Sequence, residues 1–119
     1  MINTRTSIGT GKEGSTFFIT CTFTDEDDVL VTPTSIMWTL TDKEENIVNA
    51  REQVSVSPLD SEIDIILSGD DLLAQSTENK YQEYLDRYII IEAEYDGATG
   101  TYPIRDSAWF QVQNLRYVS

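Results

Sequence analysis

The sequence has no histidine and a single cysteine, Cys21. Without histidine, Ser-His-Asp and Cys-His nucleophilic sites are excluded, and so are histidine-ligated metal centres. One cysteine cannot close an internal disulfide, so a packed core must hold the fold, and nothing marks an oxidising compartment. Basic residues are also scarce: 8 Lys and Arg stand against 21 Asp and Glu, for a net charge of −13. Such a surface repels nucleic-acid phosphates and anionic membranes, which sets both aside as partners. No apolar stretch reaches bilayer length, and the opening MINTRTSIGTGKEGS lacks the apolar centre of a signal peptide. The chain is therefore expected to be made in a cytoplasm and not secreted by a signal peptide. GTGKEGS also lacks the spacing of a phosphate loop.

What is present suits one small domain. At 119 residues and 39% hydrophobic content, the chain has enough apolar material for one core. Residues 1–15 are small, polar and glycine-containing, and read as an extended N-terminal arm preceding a domain over 16–119. In STFFITCTFTD, Phe17, Ile19, Cys21 and Phe23 fall on one side and Phe18, Thr20 and Thr22 on the other. A period of two in β-branched and aromatic residues predicts a strand with one buried face, and makes Cys21 a core residue. VLVTP reads as a second strand ended by Pro33. TSIMWTLTD is a third, with Ile36, Trp38 and Leu40 on the face opposite Met37, Thr39 and Thr41. IVNAREQVSVS is a weaker fourth, and SEIDIILS a fifth with Ile63, Ile65 and Leu67 inward. Residues 70–87 lose the period of two, and Leu72, Leu73, Tyr81, Tyr84 and Leu85 suit short helical turns. YIIIEAEYDG and SAWFQVQNL supply a sixth and a seventh strand, with DGATG as a turn between them. Seven short strands joined by polar turns predict an all-β antiparallel sandwich.

The acidic turns DEDD and KEEN stand in two stretches that echo each other, TFTDEDDVLV at 22–31 and TLTDKEENIV at 39–48. They read as two similar strand–turn–strand corners. Asp and Glu are common at turns, so the plain reading is a solvated tip. The chemical alternative is calcium: Asp25, Asp27, Asp28 and Asp42 offer hard oxygen ligands, and corners at one end of a sandwich could share an ion. The D-x-D-x-D-G frame and its glycine are missing.

FTDEDDVLVTPTSIMWTLTD and YIIIEAEYDGATGTYPIRDSAWFQV together resemble the immunoglobulin-like domains common in structural proteins of tailed bacteriophages. There an apolar strand, an acidic turn, V-x-P, a Trp-bearing strand and T-D-x-x-G-x-x-V follow one another. The resemblance covers residues 14–115. It departs where Asp28 and Asn46 replace the usual corner glycine. Tyr88, at the start of the sixth strand, also lies on the wrong face for a tyrosine corner unless a bulge shifts the register. The resemblance implies an immunoglobulin-like sandwich in a non-enzymatic virion protein, a capsid decoration or a neck or tail component. Its partners would be other phage structural proteins, with oligomers on the particle. Such a fold puts the third, sixth and seventh strands in one sheet, with Met37, Tyr88, Ile90 and Trp109 outward as a partner-binding patch. Arg5 and Lys12 in the arm are further contact candidates. A carbohydrate- or cell-surface-binding module using Trp109 and Tyr88 is the alternative.

Overall fold

The computed structural model describes residues 2–6, 10–12, 14–73, 78 and 82–114. Eight strands follow in order: β1 (Ile2–Thr6), β2 (Thr10–Lys12), β3 (Thr16–Phe23), β4 (Ser35–Thr41), β5 (Val54–Ser55), β6 (Glu62–Ser68), β7 (Tyr84–Gly97) and β8 (Gly100–Gln113). A 3₁₀ turn at Gly69–Leu72 follows β6. The strands form a three-stranded sheet, β1-β3-β6, and a five-stranded sheet, β2-β8-β7-β4-β5. All pairings are antiparallel except β2 with β8, which is parallel. The chain is thus an all-β sandwich. Among the described residues, no helix is long and apolar enough to cross a membrane.

Alternation builds the core. Phe17, Ile19, Cys21 and Phe23 of β3 are all fully buried, and Ile63, Ile65 and Leu67 of β6 lie beside them. From the other sheet come Trp38 and Leu40 of β4, Ile89 and Ile91 of β7, and Phe110 and Val112 of β8. Each such side chain contributes about 1.5–3 kcal/mol when fully buried. The Phe17 and Phe110 rings stack across the sandwich with centroids 4.6 Å apart. Burial foremost, then the fields of Asp106 and Asp64, push the Cys21 thiol up to about 12. Cys21 is a core residue that stays protonated near neutrality, not a nucleophile.

Several sequence expectations change. VLVTP is not a strand: it makes one isolated bridge, Thr24 with Leu30, and Val29 and Leu30 are exposed. The fourth strand shrinks to Val54–Ser55. The helical reading of residues 70–87 holds for Gly69–Leu72, whereas Tyr84 and Leu85 already belong to β7; Tyr81 lies outside the described residues. The last strand begins at Gly100, well before Ser107, and β7 and β8 form one long hairpin closed between Gly97 and Gly100. Each strand of the hairpin has 14 residues, and the molecule measures 55 × 23 × 21 Å along its principal axes. The expected arm does not stand apart from the domain. β1 pairs with β3 in one sheet, and β2 pairs with β8 in the other. Backbone hydrogen bonds, which need no apolar period, hold both strands.

Buried polar groups of the sandwich find specific partners, with the exception of Arg87 Nε, which is buried without an acceptor among the described residues. Arg87, on the inward face of β7, is fully buried. Its Nη1 and Nη2 each donate to a Glu78 carboxylate oxygen at 2.7 Å, and Nη2 also donates to the Leu73 carbonyl at 3.0 Å. Asp71 is 1% exposed. It accepts from Arg51 Nε at 2.8 Å, Asn49 Nδ2 at 2.9 Å and the Ser68 N–H at 3.1 Å. Desolvation pushes the Asp71 carboxyl up, yet these donors outweigh it and hold the carboxyl below its ordinary value.

Candidate functional site

The register of the five-stranded sheet fixes which side chains share its outer face. Tyr88 pairs with Trp109 across β7 and β8, and with Thr41 across β7 and β4. One row further, Ile90 lies between Thr39 and Ser107; the next row holds Met37, Glu92 and Arg105. Ile90 is the diagonal neighbour of both Trp109 and Met37, within reach of long side chains. The structure therefore brings Met37, Tyr88, Ile90 and Trp109 into one contiguous patch. Trp109 is 54% exposed and Tyr88 37% exposed, while Met37 and Ile90 are half-buried. The register runs unbroken from Tyr84↔Gln113 to Gly97↔Gly100, so no bulge turns Tyr88 inward and it is not a tyrosine corner.

The patch extends beyond the four residues read from the sequence. Tyr84, also 37% exposed, lies on the same face opposite Gln113, and Lys12 of β2 stands opposite Gln113 on its other side. Asp86 and Gln111 form the row between, with Gln111 Nε2 donating to Asp86 Oδ1 at 3.4 Å. Arg5 stands in β1 opposite Thr20, in the other sheet, so it does not join this face; its side chain lies outside the described residues. Tyr84 was missed because β7 starts earlier than its apolar run suggests, although Tyr84, Tyr88 and Ile90 share one parity. Beside Tyr88 and Ile90 opens a shallow pocket of about 240 Å³, lined also by Thr41, Asp42, Lys43, Glu45 and Ser107. The face offers aromatic area ringed by hydroxyl, amide and charged groups, a composition suited to binding.

The acidic corners are built as turns. In the first, Asp25 Oδ1 accepts the N–H groups of Asp27 at 2.9 Å and Val29 at 3.0 Å. In the second, Asp42 Oδ1 accepts those of Glu44 at 2.9 Å and Asn46 at 3.0 Å. The left-handed residues are Asp28, φ 61°, and Glu45, φ 67°. The corner glycine's place in the second turn is thus taken by Glu45, not by Asn46. The shared calcium ion expected from Asp25, Asp27, Asp28 and Asp42 does not fit this geometry. The first corner adjoins Tyr95, whose hydroxyl donates to Glu26 Oε2 at 2.7 Å, whereas Asp42 follows Thr41, opposite Tyr88. Seven residues of β7 separate them, about 20 Å of strand. Among the described residues, no three carboxylates converge as a metal site.

A scan against protein-family models gives no match to this chain, and no curated protein matches it.

Proposed function

We propose that this chain is a non-enzymatic structural protein of a tailed-phage virion. It would be an immunoglobulin-like sandwich that binds other virion proteins through the outer face of its five-stranded sheet. The observation that carries this reading is Trp109, more than half exposed on β8 and set against Tyr88. Large aromatics with Ile90 and Met37 beside them are costly to leave in water and are common anchors of protein interfaces. Capsid, neck and tail are all compatible sites for such a protein. A particle carrying many copies would make a modest contact effective through avidity.

The test is quantitative mass spectrometry of salt-washed particles carrying either the native chain or Trp109→Ala. The native chain is expected at a fixed ratio to the major capsid protein. Trp109→Ala should be lost from particles while its folding stability changes by less than about 0.5 kcal/mol, as for other surface substitutions. Absence of the native chain from particles would refute the proposal.

The shallow pocket beside Tyr88 favours a second reading, a carbohydrate- or cell-surface-binding module. Its Thr41, Ser107 and Asp42 groups lie next to an aromatic face. Saccharide binding that disappears in Trp109→Ala would select this reading over the first.

A further inference from the structure

The two sheets are unequal, and the smaller one ends on an open strand. Phe23 N–H donates to the Ser61 carbonyl at 2.8 Å. This sets the alternation along β3 and β6: the pairs Cys21↔Ile63, Ile19↔Ile65 and Phe17↔Leu67 face each other through hydrogen bonds. The backbone groups of Glu62, Asp64 and Ile66 therefore point away from β3. Among the described residues, no strand pairs with that edge. At one end the edge is closed, because Asp71 Oδ2 takes the Ser68 N–H.

A second open edge, along β8 from Thr101 to Trp109, provides the contrast. It carries Pro103, which has no N–H. It also carries Asp106 on its inward row, opposite the buried Ile91. Proline and inward charge are devices that blunt an edge against strand addition. The β6 edge has neither: its inward row is Ile63, Ile65 and Leu67, all buried. Its outward row is Glu62, Asp64 and Ile66, the last 55% exposed and directly opposite Phe18.

Space on the inner side is also incomplete. Asn49 and Arg51, which follow β4, reach Asp71, which follows β6. That places β6 over the β4–β5 side of the larger sheet, where Val54 and Val56 are half-buried against the core. A strand added beside β6 would lie over them.

We propose that the β6 edge receives an extended, cationic segment of a partner protein as a fourth strand of the small sheet. Backbone groups of Glu62, Asp64 and Ile66 supply the hydrogen bonds. The occupant is selected by charge. Lys or Arg on its outward side would face Glu62 and Asp64, and aliphatic residues on its inward side would cover Val54 and Val56. A second copy of this chain is a poor occupant, since each carries a net charge of −13.

The test is an NMR titration of the ¹⁵N-labelled full chain with a capped peptide of alternating lysine and valine, as long as β6. A peptide with glutamate in place of lysine is the control. The expected result is a shift and slowed exchange of the Glu62, Asp64 and Ile66 amides with the lysine peptide alone. Affinity should fall by about tenfold in the Glu62→Lys/Asp64→Lys variant, as two surface ion pairs are lost. Both positions are exposed, and unchanged β7 amide shifts would verify the fold of the variant. The proposal is overturned if the lysine peptide does not bind, or if the variant binds as tightly as the native chain. It also fails if the shifts spread over Asp86, Glu92 and the acidic corners with no slowed exchange on β6.

Discussion

The turns at residues 25–29 and 42–46 share one backbone and differ in what surrounds them. In each, the aspartate N–H donates to the carbonyl four residues on, at 2.9 Å in the first and 3.0 Å in the second. In each, the aspartate carbonyl accepts from the residue three on, and its carboxylate caps two more N–H groups. Yet Asp42 is 4% exposed, whereas Asp25 is half-exposed. Asp42 gains a further bond from Asn46 Nδ2 at 3.2 Å. The first turn instead reaches outward and ties Glu26 to the long hairpin at Tyr95. The local sequence sets the turn, and the packing around it decides how much each hydrogen bond contributes.

Substitutions can separate these effects. Asp42→Ala strips three donors of a buried anion and should lower stability by about 2–3 kcal/mol in urea unfolding. Asp25→Ala removes the matching bonds where water can replace them, and about 1 kcal/mol is expected. Equal losses would mean that burial does not matter here. Glu45→Gly relieves a left-handed backbone and should raise stability by about 1 kcal/mol. Asp28→Gly should gain only about half of that, because Asp tolerates this conformation better.

The smallest effect is on titration. The hydrogen bond to Glu26, then desolvation, raise the Tyr95 phenol to about 12. The same bond holds the Glu26 carboxyl below its ordinary value. The raised Tyr95 value gives stability that is full below pH 10 and lost as pH rises through about 12. The lowered Glu26 value gives stability that is full above 4.5 and lost as pH falls through the folded value. Absorbance titration should contain a tyrosinate component near 12 that vanishes in Tyr95→Phe and moves to lower pH in Glu26→Gln.

Much of this was readable where side chains carry the signal. The alternation in STFFITCTFTD placed Phe17, Ile19, Cys21 and Phe23 inward, and that in YIIIEAEYDG placed Ile89, Ile91 and Tyr95 inward. The outward Trp109 and Tyr88 followed from the same parity. The echo between residues 22–31 and 39–48 became two matching turns. β1 and β2 were not legible as strands, because backbone pairing leaves no period in INTRT or TGK. VLVTP was misleading because an apolar run bounded by turn residues looks like a strand whether or not a neighbour exists to pair with it. Arg87 shares the inward parity of Ile89, but nothing local says that Glu78 will meet it.

The parallel pairing of β2 with β8 has a mechanical consequence. Thr10 lies opposite Gln111 and Lys12 opposite Gln113, so both strands run the same way. A force entering at Thr10 and leaving at Gln113 pulls the two strands past each other along their length. Their hydrogen bonds are then loaded together, in shear, rather than opened one after another as in a zipper. A load applied between these two points therefore meets all three paired positions at once, Thr10 with Gln111, Gly11 with Val112 and Lys12 with Gln113.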